Sequence, residues 1–274
     1  MTRAPWVMEK PAKAWAKPGA CFDTSIGWRF PNPRFDADTT LSMPETAERV
    51  AQRWGLSREQ LDTFALRSHQ LAVDAVKSGR FADEIVAVPT WAGDVDKDEG
   101  PRADSSLERL AALRPINGPG GLITVGNAGS LNDGAAALVI ASERYIERHG
   151  LRPRARLVAA ASTGVAPEVM GIGPVPTTRK ALARAGWSVS DLDDVELNEA
   201  FAAQSLACVR DLDLDLSLVN ADGGAIALGH PLGVSGARIL VTLLGRLERA
   251  GGRRGLATMC VGVGQGTSLL VERL

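Results

Sequence analysis

Apolar and polar positions change rhythm along the chain near residue 120. Beyond that point, short Val, Ile, Ala and Leu runs alternate with segments of helical period. Leu122–Val125, Ala135–Ser142, Arg156–Ala161, Val195–Asn198, Gly255–Val261 and Ser268–Val271 read as strands. Glu143–His149, Thr177–Ala185, Glu199–Arg210 and Leu232–Arg249 read as helices between them. Strands alternating with helices predict an α/β sandwich with a mainly buried sheet. Only Gly262-Val-Gly-Gln-Gly266 separates the last two runs, which predicts an antiparallel pair at the end.

Before residue 120 the pattern is mostly helical or irregular. The first forty residues hold five prolines, and Trp28 to Pro33 reads as a surface excursion pinned by aromatic contacts. A helix is expected from near Pro44, capped by Ser42 and stopped at Gly55. Ser57-Arg-Glu-Gln60 is a capping box for a second helix, with apolar Leu61, Phe64, Ala65, Ala72, Val73 and Val76 and a stop near Gly79. Phe81–Val88 alternates enough for a strand, and Ser105–Leu113 reads as a short amphipathic helix.

Composition narrows the function. With 31 Lys+Arg against 32 Asp+Glu, the net charge of −1 gives no electrostatic case for nucleic acid or an anionic membrane as partner. At 45% hydrophobic and 23% charged, chain-wide disorder is excluded. No apolar run is long enough to span a bilayer, and the start lacks a signal-peptide core. Three cysteines (Cys21, Cys208, Cys260) without CxxC spacing argue against a disulfide framework or a metal site, and favour a cytoplasmic home.

Of three histidines, His69 falls on the polar side of the second helix and His149 in the last turn of another, where a helix-terminal role suffices. His230 sits among five glycines in Asp222–Gly236, just before Pro231 launches a long helix. A histidine held at such a junction suits proton transfer, or simply packs against backbone carbonyls. Cys260 ends a strand and opens a glycine-rich turn, as a proton donor or nucleophile beside an oxyanion site, or as a small buried hydrophobe. Cys208, mid-helix among Ala and Leu, fits the second description, and Cys21 is structural or incidental. Asn198 follows a strand and can cap the next helix or hold a water or carbonyl. At separate strand ends, Asn198, His230 and Cys260 are placed to converge on one crevice. Gly126–Gly134 is neither a P-loop nor a dinucleotide fingerprint, and is a turn or a set of backbone donors.

Asn198-Glu-Ala-Phe-Ala202, Gly223-Gly-Ala-Ile-Ala-Leu-Gly-His-Pro231 and Cys260-Val-Gly-Val-Gly-Gln-Gly266 resemble, in order and spacing, the motifs of the thiolases. Gly126-Asn-Ala, Asn132-Asp-Gly-Ala-Ala136 and the Phe64-Ala-Leu-Arg-Ser helix look like that family too, so the likeness covers essentially the whole chain. Asp23–Phe30, Ser42–Glu48 and Val263 resemble the thiolases that act on 3-oxoadipyl-CoA in aromatic degradation. The resemblance implies a thiolase-type layered α/β sandwich, here one C-terminal half (150–274) plus a remainder of the N-terminal region with its loop domain (1–143).

It also implies thiolysis of a 3-oxoacyl-CoA by coenzyme A, or the reverse Claisen condensation, with CoA as substrate and no permanent cofactor. By position, His230 would deprotonate the nucleophilic thiol and, with a water on Asn198, bind the thioester oxyanion. Cys260 would shuttle the acetyl α-proton, with the Gly262 N–H in a second oxyanion hole. Arg114, Gly129 and Ser130 are the candidate CoA contacts; Gly129 stands where the family often has Ser. The resemblance further implies a homodimer or homotetramer. The family's covalent cysteine precedes the motif that Met1-Thr-Arg-Ala-Pro5 continues, so the nucleophile and its half-sandwich are expected to be missing from these residues. By that reading the full gene product is a thiolase and this stretch alone is inactive. The alternative is a CoA-binding or partner subunit.

Overall fold

In the computed structural model, which describes residues 1–274, β1 (Trp6–Met8) pairs antiparallel with β2 (Cys21–Asp23). The following excursion is tied down as expected. Trp28 Nε1 donates to Leu41 O at 3.0 Å, and the Phe22 and Phe30 rings meet edge-on at 5.2 Å. Capping chemistry then sets the helices. Reciprocal bonds between Ser42 and Glu45, and between Ser57 and Gln60, start α1 (Met43–Arg53) and α2 (Arg58–Lys77). Both bury apolar faces that include Ala47, Ala51, Leu61, Phe64 and Ala65. A small hairpin, β3 (Val88–Thr90) with β4 (Gly93–Val95), and two short helices, α3 (Leu107–Ala111) and α4 (Glu143–His149), complete this part.

The second part is layered. Four strands lie in the order β5 (Ala155–Gly164), β8 (Gln265–Arg273), β7 (Arg254–Val261), β6 (Asp194–Leu197). The β5–β8 and β8–β7 pairs are antiparallel, the latter as the terminal pair expected from sequence, and β7–β6 is parallel. Side chains alternate across this sheet. Leu256 and Leu270 enter a cluster with Val175 and Leu182 of α5 (Pro174–Ala185) and Cys208 of α6 (Ala202–Asp211). Their neighbours Ala257 and Val271 join Ile239, Leu243 and Leu247 of α8 (Ser235–Ala250). Helices therefore cover both faces, and the layered α/β expectation holds. The sheet is less uniformly buried than expected, because every residue of β6 is buried while β5 carries exposed positions. A one-turn helix, α7 (Ala225–Leu228), precedes His230.

Three expected strands do not form. Along Leu122–Val125 the backbone donors go to side chains. Leu122 and Ile123 N–H reach the Glu48 carboxylate at 2.9 and 3.2 Å, and Thr124 N–H reaches Asn127 Oδ1 at 2.9 Å. Ala135–Ser142 has no paired edge, and Val139 is 95% exposed. Phe81–Glu84 continues the turns after α2, so that only Val88 of the proposed strand is paired. Two helices also start three residues late. The Pro231–Val234 turn precedes α8, and Glu199–Phe201 is drawn into the loop before α6, where Ala202 N–H bonds Asn127 O. His69 is buried rather than on a polar face, because residues near Arg102 cover it and the Arg102 N–H donates to His69 Nδ1 at 3.2 Å.

Candidate active site

The carboxyl ends of β6 and β7 lie side by side, with Leu197 opposite Thr258. Asn198 extends that ladder, its N–H reaching Thr258 O at 3.0 Å. Strand rise and spacing then put the Cα atoms of Asn198 and Cys260 about 6 Å apart. Asn198 is fully buried, and its side chain meets His230, Nδ2 to Nε2, at 3.3 Å. Asn198 and His230 are thus brought together from elements 32 residues apart. Cys260 and Gly262 stand at the next strand end, and no hydrogen bond joins Cys260 to His230.

His230 is braced from its backbone. Its N–H bonds Ser130 O at 2.9 Å and Asn132 Oδ1 at 3.2 Å, and the Ser130 hydroxyl also donates to Asn132 Oδ1 at 2.8 Å. On the other side, His230 Nδ1 lies 2.6 Å from Ser235 Oγ. Burial, aided by the Arg238 cation, pushes the imidazole down to about 4, so it is neutral at pH 7 and free to take a proton. Burial pushes the Cys260 thiol up to about 12, so it holds its proton at neutral pH. The base without its proton is therefore not at a strand end but in the connection between α7 and α8, while the acid with its proton stands at the end of β7.

The turn after Cys260 is clamped. Gly264 has φ +87°, its carbonyl accepts from Val165 N–H at 2.7 Å, and a Cβ there would lie 2.3 Å from Val165 O. That anchor holds Val263 at φ +69°, a costly conformation for a β-branched residue. Gly262 is open, since a Cβ built there meets nothing within 4 Å.

Gly129 and Ser130 lie against this site. A Cβ on Gly129 would come within 2.8 Å of Glu199 O and 3.3 Å of His230 Cβ, and its N–H bonds Ala200 O. The glycine therefore satisfies a packing limit, which explains why a side chain is missing there. Arg114 is exposed just beyond α3 and forms no ion pair. Cys208 is fully buried as a small hydrophobe, with Sγ 3.4 Å from Gly171 O, and Cys21 is exposed on β2.

Sequence reading missed three supports. Ser235 and Asn132 hold the two sides of His230, and Glu199 lies fully buried beside Asn198. The Glu199 carboxylate accepts from Ser68 Oγ at 2.7 Å, Asn220 Nδ2 at 2.8 Å and Ile226 N–H at 3.1 Å. Burial raises its pKa, while these donors hold it down. The visible signal was a hydroxyl five residues beyond His230, at the first turn of the helix that follows.

Two family models match the chain: the thiolase N-terminal domain over residues 25–144 and the thiolase C-terminal domain over 151–273. The beta-ketoadipyl-CoA thiolase of Pseudomonas aeruginosa is 54% identical over 281 positions, covering 100% of this chain and 70% of the relative. The 3-oxoadipyl-CoA/3-oxo-5,6-dehydrosuberyl-CoA thiolase of Escherichia coli is 51% identical with the same coverages. The crystal structure of human mitochondrial 3-ketoacyl-CoA thiolase in complex with CoA superposes with a TM-score of 0.91 at 39% identity, covering 100% of this chain and 68% of that one.

Proposed function

The chain belongs to the thiolase family, and from that premise we propose how its residues divide the work of thiolysis. In the reaction a 3-oxoacyl-CoA is cleaved by CoA to acetyl-CoA and a shortened acyl-CoA, or assembled in reverse. His230 Nε2 takes the proton of the attacking thiol, then faces the thioester oxyanion together with a water held by Asn198. Cys260 delivers a proton to the acetyl α-carbon as the C–C bond breaks, while the Gly262 N–H meets the enolate oxygen. The observation that carries this reading is the Asn198–His230 contact beside a protonated Cys260 thiol.

Arg114 would meet the anionic groups of CoA, supported by its lack of an internal ion pair. Gly129 and Ser130 would lie along the bound CoA, supported by their place against His230. We place the domain division at 1–143 and 150–274, in line with the change from irregular helical chain to layered sheet. A homodimer or homotetramer is supported by exposed Val125 and Val139. A cytoplasmic site fits three unpaired cysteines, and no helix is long and apolar enough to cross a membrane.

The substrate we propose is 3-oxoadipyl-CoA, following the names of the relatives. Residues 1–274 alone would not complete thiolysis, because Cys208 is sealed in the core, Cys260 serves the proton at carbon, and no hydrogen bond links Cys21 on β2 to Asn198 or His230. The test replaces the matching 281-position stretch of the Pseudomonas aeruginosa relative with this chain. That graft is expected to cleave 3-oxoadipyl-CoA in preference to acetoacetyl-CoA, while the 274-residue chain alone does not turn over. A clear preference for acetoacetyl-CoA would reject the substrate, and turnover by the chain alone would reject its dependence on a further thiol.

A further inference from the structure

Ser235 opens α8 five residues beyond His230 and is wholly buried. Its Oγ makes two contacts: 2.6 Å to His230 Nδ1 and 3.1 Å to the Pro231 carbonyl, to which it donates. A hydroxyl has one proton to give, and a carbonyl oxygen can only accept. With its proton turned to Pro231 O, which also takes the Val234 and Ser235 N–H groups, Ser235 Oγ meets Nδ1 as an acceptor. That arrangement calls for a ring proton on Nδ1.

The opposite edge of the ring agrees with this as the Asn198 amide is set, with Oδ1 turned away and unpaired. Asn198 presents Nδ2 to His230 Nε2 at 3.3 Å, and an amide nitrogen only donates. Such a donor is accommodated by a bare ring nitrogen and repelled by one that carries hydrogen. The backbone fixes the imidazole between these two partners, since His230 N–H is shared by Ser130 O and Asn132 Oδ1. The positive end of the 16-residue α8 lies next to the ring and favours its neutral form, in which the tautomer has meaning.

We propose that Ser235 is a positioning residue that locks His230 in the Nδ1–H tautomer and thereby presents Nε2 as the proton acceptor. The catalytic consequence rests on the thiolase reading above; the tautomer itself does not. In the step it serves, a thiol S–H bond breaks and an Nε2–H bond forms, with the electron pair left on sulfur. The resulting imidazolium keeps Nδ1–H on Ser235 and gains an Nε2–H that can face an oxyanion. With the other tautomer, Nε2 would already carry hydrogen and could not take the proton.

With only three histidines, the chain suits a direct test. The 274-residue protein is labelled with ¹⁵N-histidine, and long-range ¹H–¹⁵N correlation spectra are recorded near pH 7. The His230 ring is assigned by its loss in His230→Gln. The expected spectrum shows a protonated Nδ1 and a bare Nε2. In Ser235→Ala the Nδ1–H state should be lost in favour of Nε2–H or an exchanging mixture, and Ser235→Thr, which keeps the hydroxyl, should restore it. A wild-type ring in the Nε2–H form would overturn the proposal without any variant having to fold. An undiminished Nδ1–H state in a folded Ser235→Ala would overturn it as well. If instead the tautomer is as expected but the graft does not cleave 3-oxoacyl-CoA, the thiolase assignment of His230 fails while the role of Ser235 stands.

Discussion

His230→Ala in the grafted enzyme should lose both halves of the reaction, C–C cleavage and acyl transfer to CoA. Each half needs a thiol deprotonated at neutral pH, and His230 is the neutral imidazole in contact with Asn198. Removing a general base costs about 10²–10⁴-fold in rate, and loss of its oxyanion contact adds to that. Binding of CoA should change far less, because the imidazole acts on the reacting atoms. The pH dependence follows from the same burial. The base form is lost as pH falls through the folded pKa of about 4, not through the ordinary imidazole value. The thiolysis rate should accordingly show no His230-dependent fall between pH 7 and pH 5. A residual rate within tenfold of wild type would remove His230 from the mechanism.

Glu199→Ala should be the most damaging substitution for stability. The carboxylate is fully buried and receives Ser68, Asn220 and the Ile226 N–H, tying α2 to α7 and to the loop before it. Alanine would leave those donors buried without an acceptor, with the partly buried Arg67 guanidinium losing its facing charge. Breaking such a network costs about 3–5 kcal/mol. Glu199→Gln keeps an accepting oxygen and also removes the cost of a buried charge, so its loss should be nearer 1 kcal/mol. Urea melts of the 274-residue chain compare the two directly. Equal, small losses would mean that the loops are held by packing alone.

The motif residues that could be read from sequence are those whose partners lie nearby in the chain. Ser42 and Ser57 were recognisable as caps because their Glu45 and Gln60 partners sit three residues on. The β7–β8 pair was readable because a short glycine turn leaves few other pairings. Leu122–Val125 reads as a strand but does not form one, because its acceptor is Glu48, a side chain more than seventy residues away. Ala135–Ser142 is a short apolar run of the kind a buried strand has, yet pairing is a property of two segments, and no strand pairs with it. Helical period puts His69 on a polar face because it cannot show that the segment around Arg102 folds over it. The same limit applied at the site. Asn198, His230 and Cys260 announced themselves by strand ends and glycines, whereas Ser235 and Asn132 matter only through contacts that folding creates.

The proposed thiolysis rests on a division of labour, with His230 activating thiols and Cys260 handling the proton at carbon. It is tested most directly by measuring two rates in the grafted enzyme carrying Cys260→Ala: cleavage of 3-oxoadipyl-CoA, and exchange of labelled CoA into acetyl-CoA. The thiol pushed up to about 12 by burial is the proton donor needed only when the C–C bond breaks. Cleavage should therefore fall by about 10²–10⁴-fold while CoA exchange stays close to wild type. Parallel loss of both rates, or cleavage left intact, would contradict it.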